Sequence, residues 1–235
     1  MSLLFGTTAI GFVLLTALFY GLVLRHLRAA LIKTGWTDEK QKKIRTAAFM
    51  TIMIWSILVA AVALTGLAGR FELFPLNIAP MLFIPLAGIL WITCSASTKE
   101  ILKHVPIRVL TSLQGFRVFV EILLWMLFIQ NLLPEQMTFE GRNFDILAGV
   151  TAPLVAYFLS ENKKLMIVWN LLSLALLINI VTIAILSMPS PFRVFFNEPG
   201  NTIVTTFPFI FLPTFLVPLA YALHFLSLRK LLMKE

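Results

Sequence analysis

The stretch 3-LLFGTTAIGFVLLTALFYGLVL-24 is followed at once by 25-RHLRAALIKTGWTDEKQKKIR-45. The first run has no charged residue in 22 positions. As a helix rising about 1.5 Å per residue it reaches roughly 33 Å, enough to cross about 30 Å of hydrocarbon. The second run carries Arg25, Arg28, Lys33, Lys40, Lys42, Lys43 and Arg45. Because Lys and Arg resist translocation, an apolar span with its positive charge on the far side reads as a helix entering from outside. Met1 to Leu4 lacks the basic start of a cleavable signal peptide, so this span is expected to persist in the mature protein. Thr37, followed by Asp38 and Glu39, reads as the N-cap of a helix that runs into the next span.

Six more apolar segments follow, over 46–68, 76–94, 107–133, 144–160, 165–187 and 203–228. With 3–24 they predict an all-α polytopic membrane protein of seven transmembrane helices, a single transmembrane domain over 1–235. The loops after the first, third and fifth spans, together with the C-terminal tail, hold 15 of the 19 basic residues. The opposite loops hold Arg70, Arg142 and Arg193. This asymmetry places the N-terminus outside and the C-terminus inside, and it confines the formal charge of +8 largely to one face. The natural partner of that face is anionic lipid rather than nucleic acid. With 59% hydrophobic and 13% charged residues the chain is too apolar for a soluble domain of this length. The single cysteine, Cys94, excludes an internal disulfide, and no N-x-[ST] sequon is present. Both features suit a bacterial cytoplasmic (inner) membrane.

The third and seventh segments share a figure. Residues 74-FPLNIAPMLFIPLA-87 and 207-FPFIFLPTFLVPLA-220 are identical at 6 of 14 positions, including prolines five apart. Weaker echoes link Trp55 and Leu58 to Trp169 and Leu172. Both segments run outside to inside, which predicts a parallel repeat of three helices, a linker helix and three helices. Interior prolines remove a backbone donor and displace the carbonyl four residues earlier, so Pro80, Pro85, Pro213 and Pro218 are expected to act as hinges that kink helices three and seven. Leu76, Met81, Phe209 and Thr214 would then need other partners for their carbonyls.

This plan, with its outside N-terminus, resembles the sugar-facilitating SWEET transporters and, more distantly, the seven-helix rhodopsins. In the sugar facilitators the characteristic prolines lie in other helices of each triplet. In rhodopsins a lysine midway along the last helix binds retinal, whereas here the seventh span has no lysine before Lys230. The resemblance therefore implies no retinal.

Gln114, Arg117 and Glu121 occupy positions i, i+3 and i+7 of the fourth span, one narrow stripe near the middle of the bilayer. A charge at that depth costs about 2.5–3.5 kcal/mol on insertion scales, so Arg117 and Glu121 are expected to pair across one helical turn. These three residues, with Asn77 and Thr214 beside the prolines, form the expected substrate-binding set. Arg142, Asn143 and Asp145 are expected at an outer mouth, with Asn143 as a helix N-cap and Gly141 permitting a tight turn. Each outer Arg has acidic company: Arg70 with Glu72, Arg142 with Glu140 and Asp145, Arg193 with Glu198. His224 is the best candidate for a buried imidazole, while His26, His104 and His224 show no metal-ligand spacing, so neither a metal nor a cofactor is expected. Asn170 and Asn179 are expected to form interhelical hydrogen bonds on nearly opposite faces.

No phosphate loop, triad spacing or nucleotide fingerprint occurs, and the loops are too short for a separate catalytic domain, so the reading leans away from an enzyme and leaves an intramembrane enzyme as a minor alternative. Repeat symmetry, broken helices and midplane polar groups together point to a transporter or facilitator of a small solute. The alternatives are a ligand-responsive seven-helix sensor and an accessory membrane subunit, with homo-oligomers open to either.

Overall fold

A computed structural model describes residues 2–233, which are all-helical, with no strand among them. Helix α1, Leu3–Ile32, is 30 residues long and capped by Ser2, whose hydroxyl accepts from the Phe5 amide. It outruns the expected 3–24 because helix-tolerant residues follow the span, and Ala30 and Leu31 are buried at its inner end. Gly35, at φ 68°, lies in the turn that follows.

Helix α2, Asp38–Leu64, starts where the sequence places it: Thr37 accepts from Lys40, and Asp38 and Glu39 occupy the first turn. Gly66, at φ 75°, ends it, and short helical turns over Leu67–Gly69 and Phe71–Leu73 follow. Helix α3, Ala79–Cys94, is separated from α4, Ala96–Lys103, by a 70° bend at Ser95. The Ser95 hydroxyl caps α4 by accepting from Thr98, which makes the break a new helix start rather than a kink.

The fourth segment comprises α5, Ile107–Ser112, a 3-10 turn over Leu113–Gly115, and α6, Phe116–Phe128. It stops short of the expected Leu133, with Asn131 at φ 55° in the turn beyond. Helix α7, Asp145–Phe158, is short and has Pro153 in its interior. Helix α8, Lys163–Leu186, is capped by Asn162. The last segment is a π-helical stretch, Leu212–Leu216, running into α9, Val217–Leu232. Residues 203–210, expected as α-helix, form a 3-10 turn over Ile203–Thr205 and turns beyond it.

The proline expectation is corrected in part. Pro80 lies in the first turn of α3, where a missing amide breaks no helical bond, so it does not hinge the helix. Pro85 does lie within α3. Pro213 is the second residue of the π-helical stretch and Pro218 lies just past its end, and the Thr214 carbonyl that Pro218 releases accepts a hydrogen bond from the Trp55 indole at 3.0 Å.

Five helices, α1, α2, α5–α6, α8 and the π-stretch with α9, are long and apolar enough to cross a membrane; the bent α3–α4 pair makes a sixth if counted as one span. Many outward side chains are apolar, among them Ile54 and Ile57 on α2, Trp91 on α3, and Leu171 and Leu172 on α8. Water would oppose such a surface and lipid does not, so the chain has the build of an integral membrane protein. Helix α9 sits among α3, α5 and α8. Leu216, Leu219, Ala220 and Leu223 join Phe12, Phe116, Leu124 and Leu127 in the principal core. Phe209 packs edge-on against Phe5 and Phe12, with ring centres at 5.6 and 5.3 Å.

Candidate functional site: a buried charge cluster beneath an apolar cavity

Helices α6 and α7 pack with almost no gap at Gly149. A β-carbon there would lie 2.7 Å from the Val118 amide nitrogen and 3.2 Å from the Arg117 carbonyl carbon. That approach, one helical turn past Asp145, sets the start of α7 against the guanidinium of Arg117. Asp145 occupies the first turn of its helix, where a carboxylate is favoured by the helix dipole.

Arg117 is 2% exposed and uses its whole fork. Its Nε donates to Asp145 Oδ2 at 2.6 Å, and Nη2 donates to Asp145 Oδ1, a bidentate pair. Nη2 also donates to the Ser173 carbonyl of α8 at 3.2 Å. Nη1 lies 3.1 Å from Nε2 of His224 on α9, and His224 Nδ1 lies 3.0 Å from Asn170 Oδ1 on α8. The network assigns the protons. Asn170 Nδ2 donates to the Met166 carbonyl, so its Oδ1 is free to accept; Nδ1 of His224 then donates, and Nε2 accepts from Arg117. One guanidinium thus ties α6, α7, α8 and α9 together in the middle of the bundle.

Glu121 does not pair with Arg117. Among the described residues Arg117 has one ion-pair partner, Asp145. A planar carboxylate presented head-on by a neighbouring helix makes two parallel bonds, which a carboxylate one turn along the same helix cannot. Both oxygens of Glu121 instead lie 2.7 Å from Nδ2 of Asn143, which also donates to the Met137 carbonyl at 3.0 Å. Asn143 Oδ1 accepts the Asp145 amide at 3.0 Å, so this residue steadies the start of α7 from just outside it. Two buried carboxylates therefore share the neighbourhood of one buried cation.

Above this cluster lies a cavity of about 120 Å³. Its wall is almost wholly apolar, with Ile78 just before α3, Leu82 of α3, Val120 of α6, Leu177 and Ile180 of α8, and Val217 of α9. The polar residues in the wall are Glu121, Asp145 and Asn201.

The other expected site residues are placed differently. Gln114 is buried with Nε2 donating to the Ala220 carbonyl at 3.1 Å, a helix-to-helix tie outside the cavity wall. Asn77 is buried and holds the Ala68 carbonyl of the preceding loop. Thr214 turns its hydroxyl onto the Ile210 carbonyl within its own segment. Asn143 and Asp145, expected at an outer mouth, are buried in the cluster because the loop folds inward over Glu121. Arg142 stays exposed, with its guanidinium carbon 5.3 Å from the Phe195 ring centre. Of the three outer Arg–acid groupings, only Arg193 with Glu198 forms an ion pair, at 3.0 Å. The Gly200 amide and Arg193 hold the Glu198 carboxyl below its ordinary range. Gly141 makes the expected tight turn, since a β-carbon there would meet the Glu135 carbonyl oxygen. Asn170 joins the cluster and Asn179 donates to the Arg142 carbonyl, so both serve as interhelical or helix-to-loop ties. No group of His, Cys, Asp and Glu able to hold a metal occurs among the described residues.

The chain belongs to a family described as a domain of unknown function, DUF8737, whose model matches residues 73–232. The matched region contains the whole cluster and the whole cavity wall. No curated protein and no solved structure matches the chain.

Proposed function

We propose that this chain is a seven-span protein of a bacterial inner membrane, N-terminus outside, which binds a small and largely apolar solute in its outer half and serves as its transporter or facilitator. The cavity carries this reading. Apolar cavities of about 150 Å³ stay dry and admit ring-sized molecules, and the volume here, about 120 Å³, is of that order. The wall includes Pro213 and Val217, at the π-helical stretch where backbone bonding is already rearranged. Such a segment can shift with the occupancy of the cavity. Pro80 and Pro213 each take the second position of their helical segment, with Pro85 and Pro218 five residues on, which supports the parallel repeat. The seventh span would be α7, which at roughly 21 Å is short for the bilayer and needs flanking residues or local thinning to cross it.

The test is flux. Proteoliposomes should exchange small apolar solutes such as n-hexanol-sized molecules faster than protein-free vesicles, and Ala184→Phe, which fills the cavity from α8, should abolish the difference.

A second reading, a ligand-responsive sensor, is favoured by one observation. The Arg117–Asp145–His224–Asn170 cluster packs tightly beneath the cavity and offers a bound solute no open way inward. On that reading solute binds without crossing, and the cytoplasmic loops change their reactivity on binding.

A further inference from the structure

The donors and acceptors around the cavity are unequal. Every Arg117 nitrogen is engaged by Asp145, the Ser173 carbonyl or His224. Asn143 Nδ2 gives one hydrogen to the Met137 carbonyl and has one left for both oxygens of Glu121. A carboxylate offers about four lone-pair sites, so most of those on Glu121 are unfilled. Glu121 is 2% exposed, has no cation of its own among the described residues, and stands in the cavity wall. Asn201 lines the same cavity; its Nδ2 donates to the Ala184 carbonyl, and its Oδ1 is buried without a partner. Beyond the second hydrogen of Asn201 Nδ2 the wall therefore presents only acceptors and, with Glu121 ionised, one surplus negative charge.

An anionic solute would find only repulsion here, and a hydroxyl would satisfy one acceptor without answering the charge. A primary ammonium has three donors, no acceptor and the missing positive charge. We propose that the cavity is a site for a small amphipathic primary amine: its alkyl or aryl tail fills the apolar space between α6 and α8, and its ammonium donates to Glu121 and Asn201 Oδ1. Arg117 stays with Asp145 throughout, so the incoming cation completes a set of two acids and two bases. This proposal rests on the reading of the cavity as a solute site.

The test uses the full chain in detergent and calorimetric titration with n-hexylamine, n-hexanol and hexanoate, with Ala184→Phe as the blank for partition into micelles. n-Hexylamine should bind at least tenfold more tightly than n-hexanol, and hexanoate should not bind. N,N,N-Trimethylhexylammonium, which keeps the charge but has no donor, should lose tenfold or more. Glu121→Gln should remove the preference for the amine over n-hexanol; the wild-type comparison decides alone if that variant does not fold. Equal or tighter binding of n-hexanol, as expected of a carboxyl that sits protonated in the wall, overturns the amine site and leaves the cavity reading standing. Binding of none of the probes beyond the Ala184→Phe blank overturns both.

Discussion

At the scale of single residues, Arg117 shows how a buried charge is held. Its attraction to Asp145 is strong in a low-dielectric surrounding, yet desolvation offsets much of that gain, and the larger effect appears when one partner is lost. Arg117→Gln or Asp145→Asn alone should therefore destabilise the protein by about 3–5 kcal/mol. The double variant should recover most of that loss, measured by reversible unfolding in mixed micelles. Glu121→Gln should cost far less, because Asn143 can still serve a neutral amide. If Arg117→Gln with Glu121→Gln recovers stability and Arg117→Gln with Asp145→Asn does not, the assignment of partners is wrong. Sequence reading found Arg117 and Glu121 by their depth in an apolar segment and His224 by its place one turn inside the last one, but it joined Arg117 to Glu121. Helical spacing is a local rule, and the partner that won lies 28 residues away on another helix. The glycine that admits it, Gly149, looks in the sequence like any small residue of a membrane helix.

Elements obey the same division between local and distant causes. The start of α2 is legible because the Thr37 side chain caps the turn that follows it, and Ser2 and Asn162 cap α1 and α8 in the same way without having been singled out in the sequence. Apolar runs locate helices by the same local logic. The π-helical stretch at Leu212–Leu216 was not legible, since it depends on what neighbouring helices offer the backbone; the break at Ser95 rests on a local serine cap that the apolar run around it hides. Trp55 is such an offer. Trp55→Phe keeps the ring and removes the donor to the Thr214 carbonyl, and should cost about 1–3 kcal/mol, the usual penalty for stranding a buried acceptor. Packing between elements gives a second expectation. Gly149→Ala drives a methyl into the Arg117–Val118 backbone, which has no rotamer to yield, and should destabilise by about 1–3 kcal/mol. Gly21→Ala on α1, where nothing lies within 4 Å of the new methyl, should be neutral or slightly stabilising. Equal effects at the two sites would mean that α6 and α7 do not meet at Gly149.

For the whole molecule, the decisive quantity is where positive charge stands relative to lipid. The 15 basic residues assigned to one set of loops and the three assigned to the other come from sequence alone. The helix order keeps those loops on alternate turns of the chain. Each basic residue near an anionic surface gains about 1 kcal/mol, and each one translocated costs energy during insertion, so the two effects favour the same orientation. The proposed topology can be read by membrane-impermeant thiol labelling. Cys94 is exposed and must first be replaced by serine, since its own reaction would mask the introduced sites. In that background, Glu198→Cys should label in intact cells, whereas Lys40→Cys and Lys163→Cys should label only after permeabilisation. Glu198 lies on the loop between α8 and the π-helical stretch, and Lys40 and Lys163 lie at the starts of α2 and α8. An odd number of crossings must separate Glu198 from each of the other two. Labelling of Glu198→Cys and Lys40→Cys, but not Lys163→Cys, in intact cells would show that the α3–α4 pair or α7 does not cross. Full reversal would place the cavity in the cytoplasmic half and its solute supply inside the cell.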